Sequence, residues 1–252
     1  MTLVEHQRTL YTSRNPTRRW LHTSRRDWIL SAIRRHAPAR RTRAIEIGPG
    51  SGVYLPLLLE LFDQVTAFDI EAQYLDAAQS LAADHPALRI EHGDVTATAG
   101  ADAGTYDLVL CSEVVEHIPP AQSAAAFAGF RRLLAEGGVL VLSTPHRWSA
   151  IETTARIALS PAMIWLTRLV YREPVLEMGH INLLTRGQVE HALHDTGFEI
   201  VERHAGGFYL PVLAELFGEG ALKLEQWLES RVRGGPLHQL LWTQYYVARA
   251  RM

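Results

Sequence analysis

The chain has 252 residues, 47% of them hydrophobic, and a formal net charge of −2 at pH 7, which is enough apolar material to bury one full core. A single cysteine, Cys111, excludes an internal disulfide, and no segment reaches the roughly 18 uninterrupted apolar residues of a membrane-spanning helix. The first residues form no apolar run of signal-peptide length, so a cytoplasmic location is expected.

The overall charge conceals an imbalance. Residues 1–43 hold eleven arginines and two acids, a local balance of +9, against −11 for the remainder. Residues 1–42 read as an N-terminal basic helical arm, with Arg18, Arg19, Arg25, Arg26, Arg34 and Arg35 set among Trp20, Leu21, Trp28, Ile29, Leu30 and Ile33. Two readings of this amphipathic pattern are open. It is a solvated helix packed on the acidic remainder, or it meets phosphate groups, on the substrate or at the surface of an anionic membrane.

Residues 43–252 read as one α/β domain. A first apolar run, 43–47, leads into Glu46-Ile-Gly-Pro-Gly-Ser-Gly52, and a second, 65–69, closes on Asp69, 21 residues after Gly48. Glycines 48, 50 and 52 remove the β-carbons that keep a ligand off a strand-to-helix turn, and the helix that follows offers free backbone N–H groups. An acid at the tip of the neighbouring strand suits a ribose diol. A dinucleotide fingerprint wants a small residue three places after the second glycine, where Val53 stands, and Glu46 repels a pyrophosphate while suiting a cationic amino-acid tail. The spacing therefore favours S-adenosylmethionine over NAD or FAD.

Further apolar runs at 88–91, 107–111 and 138–143 alternate with helical patterns at Tyr54–Phe62, Glu71–Ala83 and Ala121–Ala135. This alternation predicts a parallel sheet with right-handed crossovers and ligands at the carboxyl ends of its strands. Residues 147–180 form a long insertion whose middle carries Met163, Ile164, Trp165, Leu166, Leu169 and Val170, read as a helical lid. Thr185 to Gln188 is a capping box for a helix ending at Gly197, and two closing strands follow at Phe198–Arg203 and Gln244–Ala248, with Pro211–Val232 bulging between them.

These blocks, together with Gly93-Asp94, Tyr106 to His117 and Gly137 to Pro145, make the chain resemble the class I S-adenosylmethionine-dependent methyltransferases over about Ala44–Pro145. The resemblance implies a Rossmann-like, seven-stranded, mostly parallel sheet with helices on both faces and the last strand antiparallel. It also implies cofactor roles. Glu46, Gly48, Gly50 and Gly52 surround the methionine end, Asp69 accepts from the ribose hydroxyls and Ile70 lies on the adenine. Asp94 accepts from the adenine amino group, Val95 covers its edge, and Cys111 and Ser112 offer backbone groups near the sulfonium.

The acceptor side rests on other residues. Methyl transfer needs alignment and, for a hydroxyl acceptor, removal of a proton, for which histidine is suited near neutrality. His117, His146 and His180 are the candidate bases, in that order. Glu113-Val-Val-Glu-His117 supports an alternative, a divalent metal on Glu113, Glu116 and His117 with His180 completing the set, similar to the run in quinone-pathway O-methyltransferases and small-RNA 2′-O-methyltransferases. An apolar lid points to a small, apolar acceptor methylated on oxygen, such as a quinone, natural product or lipid-like molecule. The alternatives are C- or N-methylation of a small molecule and metal-dependent 2′-O-methylation of RNA. Against nucleic acid, the chain outside the arm is acidic and carries no RNA-binding module.

Overall fold

The computed structural model describes residues 9–97, 103–158 and 179–251. The apolar runs become β1 (Arg43–Ile47), β2 (Gln64–Asp69), β3 (Leu88–His92), β4 (Tyr106–Ser112), β5 (Leu134–Pro145), β6 (Phe198–Gly206) and β7 (Thr243–Ala250). They form one sheet in the order β3-β2-β1-β4-β5-β7-β6, with β7 antiparallel to both of its neighbours. The order reverses direction between β1 and β4, the place where open α/β sheets form a ligand crevice outside the carboxyl ends of their strands.

Helices α1 (Pro16–His36), α2 (Leu55–Leu61) and α3 (Asp76–Ala82) cover one face of the sheet. Ile29 and Ile33 of α1 pack with Leu55 and Leu58 of α2, Leu75 ahead of α3, and Leu108, Val139 and Val247 of the sheet. The other face is covered by α4 (Ser123–Leu133) and, beyond α5 (Ala150–Ala158), by α6 (Arg186–Asp195). Phe127, Phe130, Val189 and Leu193 bury there against Val109, Leu140 and Tyr246. The residues that follow β6 form α7 (Pro211–Phe217) and α8 (Glu219–Val232), which turn at Gly218. A third apolar cluster, Leu21, Ile151, Tyr209, Ala214, Ala221 and Trp242, ties α1 to α5, α7 and α8.

Strands β6 and β7 run beyond the expected Phe198–Arg203 and Gln244–Ala248, and other elements also depart from their expected spans. The pattern at Glu71–Ala83 begins with a 3-10 turn, Ala72–Leu75, before α3. Helix α4 stops at Leu133, because Leu134 already pairs with Tyr106 and lengthens β5 at its start. Gly137, at φ 72°, lets the strand pass the irregularity that follows. The lid residues Met163, Ile164, Trp165, Leu166, Leu169 and Val170 lie outside the described residues.

Helix α1 starts where Asn15 accepts from the Arg18 amide at 3.1 Å and Pro16 opens the first turn, and Arg34, Arg35 and His36 sit at its negative end. Its arginines meet acids of the rest of the chain. Arg18 pairs with Glu215 at 2.9 Å, Arg35 with Glu202 at 2.8 Å, and Arg25 with Glu113. Beyond the helix, Arg40 meets Asp107 at 2.5 Å. Among the described residues no helix is long and apolar enough to cross a membrane.

Ile33 is fully buried between α1 and the sheet. Ile33→Ala is expected to lower unfolding free energy by about 2–5 kcal/mol, read from the midpoint of urea denaturation followed by circular dichroism.

Candidate functional site

The glycine turn stands at the carboxyl end of β1, and its three glycines all occupy the left-handed region, at φ 72°, 50° and 72° for Gly48, Gly50 and Gly52. The Gly48 amide donates to the Phe68 carbonyl at 2.9 Å, so the turn is fastened to β2. A β-carbon on Gly48 would run into Cγ2 of Val114, which closes against the turn from the end of β4. Beneath them lies Glu46, buried, with Oε2 lacking any hydrogen-bond partner among the described residues. Burial pushes the Glu46 carboxyl well above the usual carboxylate range.

The neighbouring strand ends supply the other sequence-predicted positions. Asp69, nearly buried, accepts from the Glu71 amide at 2.9 Å, while Ile70 beside it is 57% exposed and presents its side chain openly at the crevice. Burial raises the Asp69 carboxyl. Asp94 accepts from the Thr96 amide at 2.8 Å and Val95 is buried, while the Gly93 amide donates to the Asp69 carbonyl and links the two loops. Cys111 is buried inside β4, and Ser112 shares a 3.0 Å hydrogen bond with Ser143 of β5.

After β4 the chain turns sharply at Glu113, the one non-glycine residue with positive φ among the described residues, at 57°. That turn aims the Glu113 carboxylate at α1, where Arg25 pairs with it, and the Ser143 hydroxyl donates to its other oxygen at 3.0 Å. Arg25 also lies 2.8 Å from Nδ1 of His22 and 5.5 Å over the Trp242 ring. Burial opposes the Arg25 charge, and the Glu113 carboxylate together with the Tyr54, Tyr245 and Tyr11 hydroxyls more than restores it.

Glu113 is therefore held apart from the metal set expected in the sequence. The structure instead brings together Glu116, His117 and His180, with one candidate ligand atom from each lying within 4.8 Å of the others. Glu116 is buried, accepts from the Thr144 hydroxyl at 3.0 Å and leaves Oε1 without a partner among the described residues. Burial, then neighbouring Glu113, push its carboxyl well up. His117 Nδ1 faces the Gly179 carbonyl at 3.2 Å, and His180 Nδ1 faces buried Glu152 at 3.0 Å. With both Nδ1 positions engaged as donors, the two Nε2 atoms carry the free lone pairs. Partial burial and His180, 5.5 Å away ring to ring, lower the His117 pKa.

His146 is placed differently. Its Nδ1 meets the Trp148 amide at 3.1 Å and its Nε2 lies 3.4 Å from the Arg186 amide, so the ring fastens the end of β5 to the start of α6. Burial and His238 lower its pKa to about 4. Beside His180 a cavity of about 710 Å³ opens between α4 and α6, lined by Phe127, Ile181, Leu184, Arg147 and Gln188 among others.

Two residues of this edge escaped the sequence reading in their roles. Arg25 was legible only as one of many arginines of the arm. Its signal was helical phase, since His22, Arg25, Ile29 and Ile33 lie on one stripe of α1, whereas Arg19 is exposed and donates to the Ser13 carbonyl at 2.7 Å. Glu152 carried no local signal, because its partner is 28 residues away.

The family described as Methyltransferase domain matches residues 18–203. A ubiquinone biosynthesis O-methyltransferase from Albidiferax ferrireducens is 32% identical over 166 residues, 65% of this chain and 58% of that protein. One from Psychrobacter arcticus is 37% identical over 109 residues, 42% of this chain and 41% of that protein. The chain thus spans about half the length of the curated relatives it matches. Among solved structures, a magnesium protoporphyrin IX methyltransferase from Synechocystis with bound SAH superposes with a TM-score of 0.62 at 15% identity, covering 98% of this chain and 93% of that one. An N-methyltransferase from Bradyrhizobium japonicum gives 0.60 at 14% identity, covering 92% and 97%. The chain belongs to the methyltransferase-domain family.

The close approach of Val114 to Gly48 makes a direct prediction. Gly48→Ala places a β-carbon against Val114 at a left-handed residue and is expected to cost about 1–3 kcal/mol, measured by urea denaturation. Gly48→Ala combined with Val114→Ala recovers part of that loss.

Proposed function

We propose that this methyltransferase transfers the methyl group to a hydroxyl oxygen of a small, apolar, quinone-like acceptor, with a divalent metal ion held by Glu116, His117 and His180. The observation that carries the reading is the meeting of that cluster with the glycine turn at one sheet edge, joined through Val114. The relatives named as ubiquinone biosynthesis O-methyltransferases support the choice of oxygen and of a quinone-like ring.

The residues at the crevice fit S-adenosylmethionine. Glu46 offers a buried, unpartnered carboxylate oxygen to an ammonium group, and a turn built on Gly48, Gly50 and Gly52 admits a ligand close to backbone. Arg25 is placed to meet the carboxylate of the same amino-acid tail. Asp69 takes the ribose hydroxyls, Ile70 lies on the adenine, Asp94 and Val95 hold its far edge, and Cys111 and Ser112 border the sulfonium. Bound there, the cofactor supplies an electrophilic methyl group for in-line displacement.

The donor set of one carboxylate and two imidazoles suits Mg, Mn or Zn. Such an ion supplies the Lewis acidity that lowers the pKa of an acceptor hydroxyl. Glu152 orients His180 and the Gly179 carbonyl orients His117, so that both rings present Nε2. Without an ion, His117 itself takes the hydroxyl proton. The cavity beside His180, floored by Phe127, Ile181 and Leu184, accommodates the apolar body of the acceptor. His146 keeps the structural place described above.

Isothermal titration of metal-stripped protein with S-adenosylhomocysteine tests the pocket, and Asp69→Ala is expected to weaken binding by roughly tenfold or more, about the value of a charge-assisted hydrogen bond. With a prenylated catechol as acceptor, chelation is expected to abolish turnover and added Mn or Mg to restore it. Full turnover on protein with far less than one ion per chain would return the reading to His117 as a plain base. In either case His117→Ala is expected to lower kcat by about 10²–10⁴-fold.

The pH profile follows from the same ring. The His117 pKa lies below the ordinary 6.5, so the neutral form dominates at pH 7. Activity is expected to rise with pH along an acid limb below that value and to be flat at neutrality, as a pH series of kcat/KM would show.

A further inference from the structure

We infer that a slot between α1 and α8, distinct from the glycine-turn crevice and from the cavity beside His180, binds a flat aromatic molecule carrying one anionic substituent. Two packed helices ordinarily interdigitate apolar side chains. Here α1 turns Trp20, Ser24, Trp28, Ser31 and Arg35, and α8 turns Gln226 and Glu229, with Arg233 just beyond its end, toward a shared gap of about 470 Å³. That volume falls in the range of about 300–1,000 Å³ found for small-molecule sites.

The floor is aromatic. Trp28 stacks on His204 with centroids 5.5 Å apart and 9° between planes, and Tyr245 lies 4.6 Å from Trp28. Gly206, at the end of β6, adds no side chain to this floor, and Trp242 forms a further wall. Trp242 is more than nine-tenths buried, and its indole Nε1–H finds no partner among the described residues.

The charges at the rim choose the sign of the ligand. Arg35 and Arg233 are exposed at the mouth. The one acid, Glu229, is already satisfied, with Oε2 accepting from the Gly207 amide at 2.9 Å and Oε1 from Arg233. Arg35 is held by Glu202, and each guanidinium carries five donors, more than these contacts use. Aromatic side chains for a ring and two cations at the opening describe an aromatic carboxylate or sulfonate better than an aliphatic chain, which would leave Ser24, Ser31 and Gln226 facing apolar surface.

The test uses 2-naphthoate as probe and the full chain, by isothermal titration, with decanoate as the ring-free anion. Saturable one-to-one binding of 2-naphthoate is expected, unchanged when the protein is first saturated with S-adenosylhomocysteine, and at least tenfold tighter than that of decanoate. Ser24 and Gln226 are exposed, so Ser24→Leu with Gln226→Leu fills the mouth without disturbing the core. This double variant is expected to weaken 2-naphthoate at least tenfold while leaving S-adenosylhomocysteine affinity as it was. No binding of 2-naphthoate, its displacement by S-adenosylhomocysteine, or equal binding to the double variant would overturn the assignment.

Discussion

Three carboxylates, Glu46, Glu113 and Glu116, converge at the carboxyl edge of the central strands, and one guanidinium, Arg25, faces them across the crevice. Removing acids from water is costly unless they are paired or protonated. Glu113 takes the pair, while Glu46 and Glu116 are pushed toward the protonated form and each keeps an oxygen without a partner. That cost couples the elements of the molecule, because α1 is drawn onto the sheet by the pairing of Arg25 with Glu113. The same electrostatics raise the buried Cys111 thiol, by burial first and then by these acids, so the lone cysteine is chemically quiet.

The strands were legible because parallel strands buried on both faces read as short continuous apolar runs, and residues such as Ile45, Val65 and Val109 have nowhere else to go. The capping box at Thr185 was legible for a local reason, since Thr185 and Gln188 satisfy each other across three residues. Boundaries set by distant partners were not. Leu134 fits a helical pattern and is taken into β5 by Tyr106, 28 residues earlier. The cofactor edge follows the same division. Glu46, Gly48 and Asp69 sit at strand ends fixed by local pattern, whereas the Arg25 to Glu113 pair joins residues 88 apart and the His180 to Glu152 pair joins residues 28 apart.

The run from Glu113 to His117 shows how closeness in sequence misleads by one residue. Glu113, Glu116 and His117 are close in sequence, and closeness in sequence implies one ligand group only if the backbone keeps their side chains on one side. The left-handed turn at Glu113 breaks that assumption. It sends the first carboxylate toward α1, and the 3-10 turn Val115–His117 that follows brings the second carboxylate and the imidazole back toward the chain at 179–180. His180 then occupies the place that spacing gives to Glu113. A non-glycine residue in that conformation costs roughly 1–3 kcal/mol, and here both carboxylate oxygens of Glu113 are bound on arrival, which offsets it.

Helix α1 carries the last step of this logic, because it serves two stripes at once. Ile29 and Ile33 lock it to the sheet, and Arg25, on the same stripe, reaches the acids of the crevice. Trp20, Ser24, Trp28, Ser31 and Arg35 form the second stripe and wall the slot toward α8. Trp242 touches both, lining the slot while Arg25 lies 5.5 Å over its ring. Any rotation of α1 that improved packing toward α8 would therefore pull Arg25 from the half-buried Glu113 and leave that acid with only the Ser143 hydroxyl. The helix is held at the angle the crevice requires, and the gap beside α8 is the geometric result.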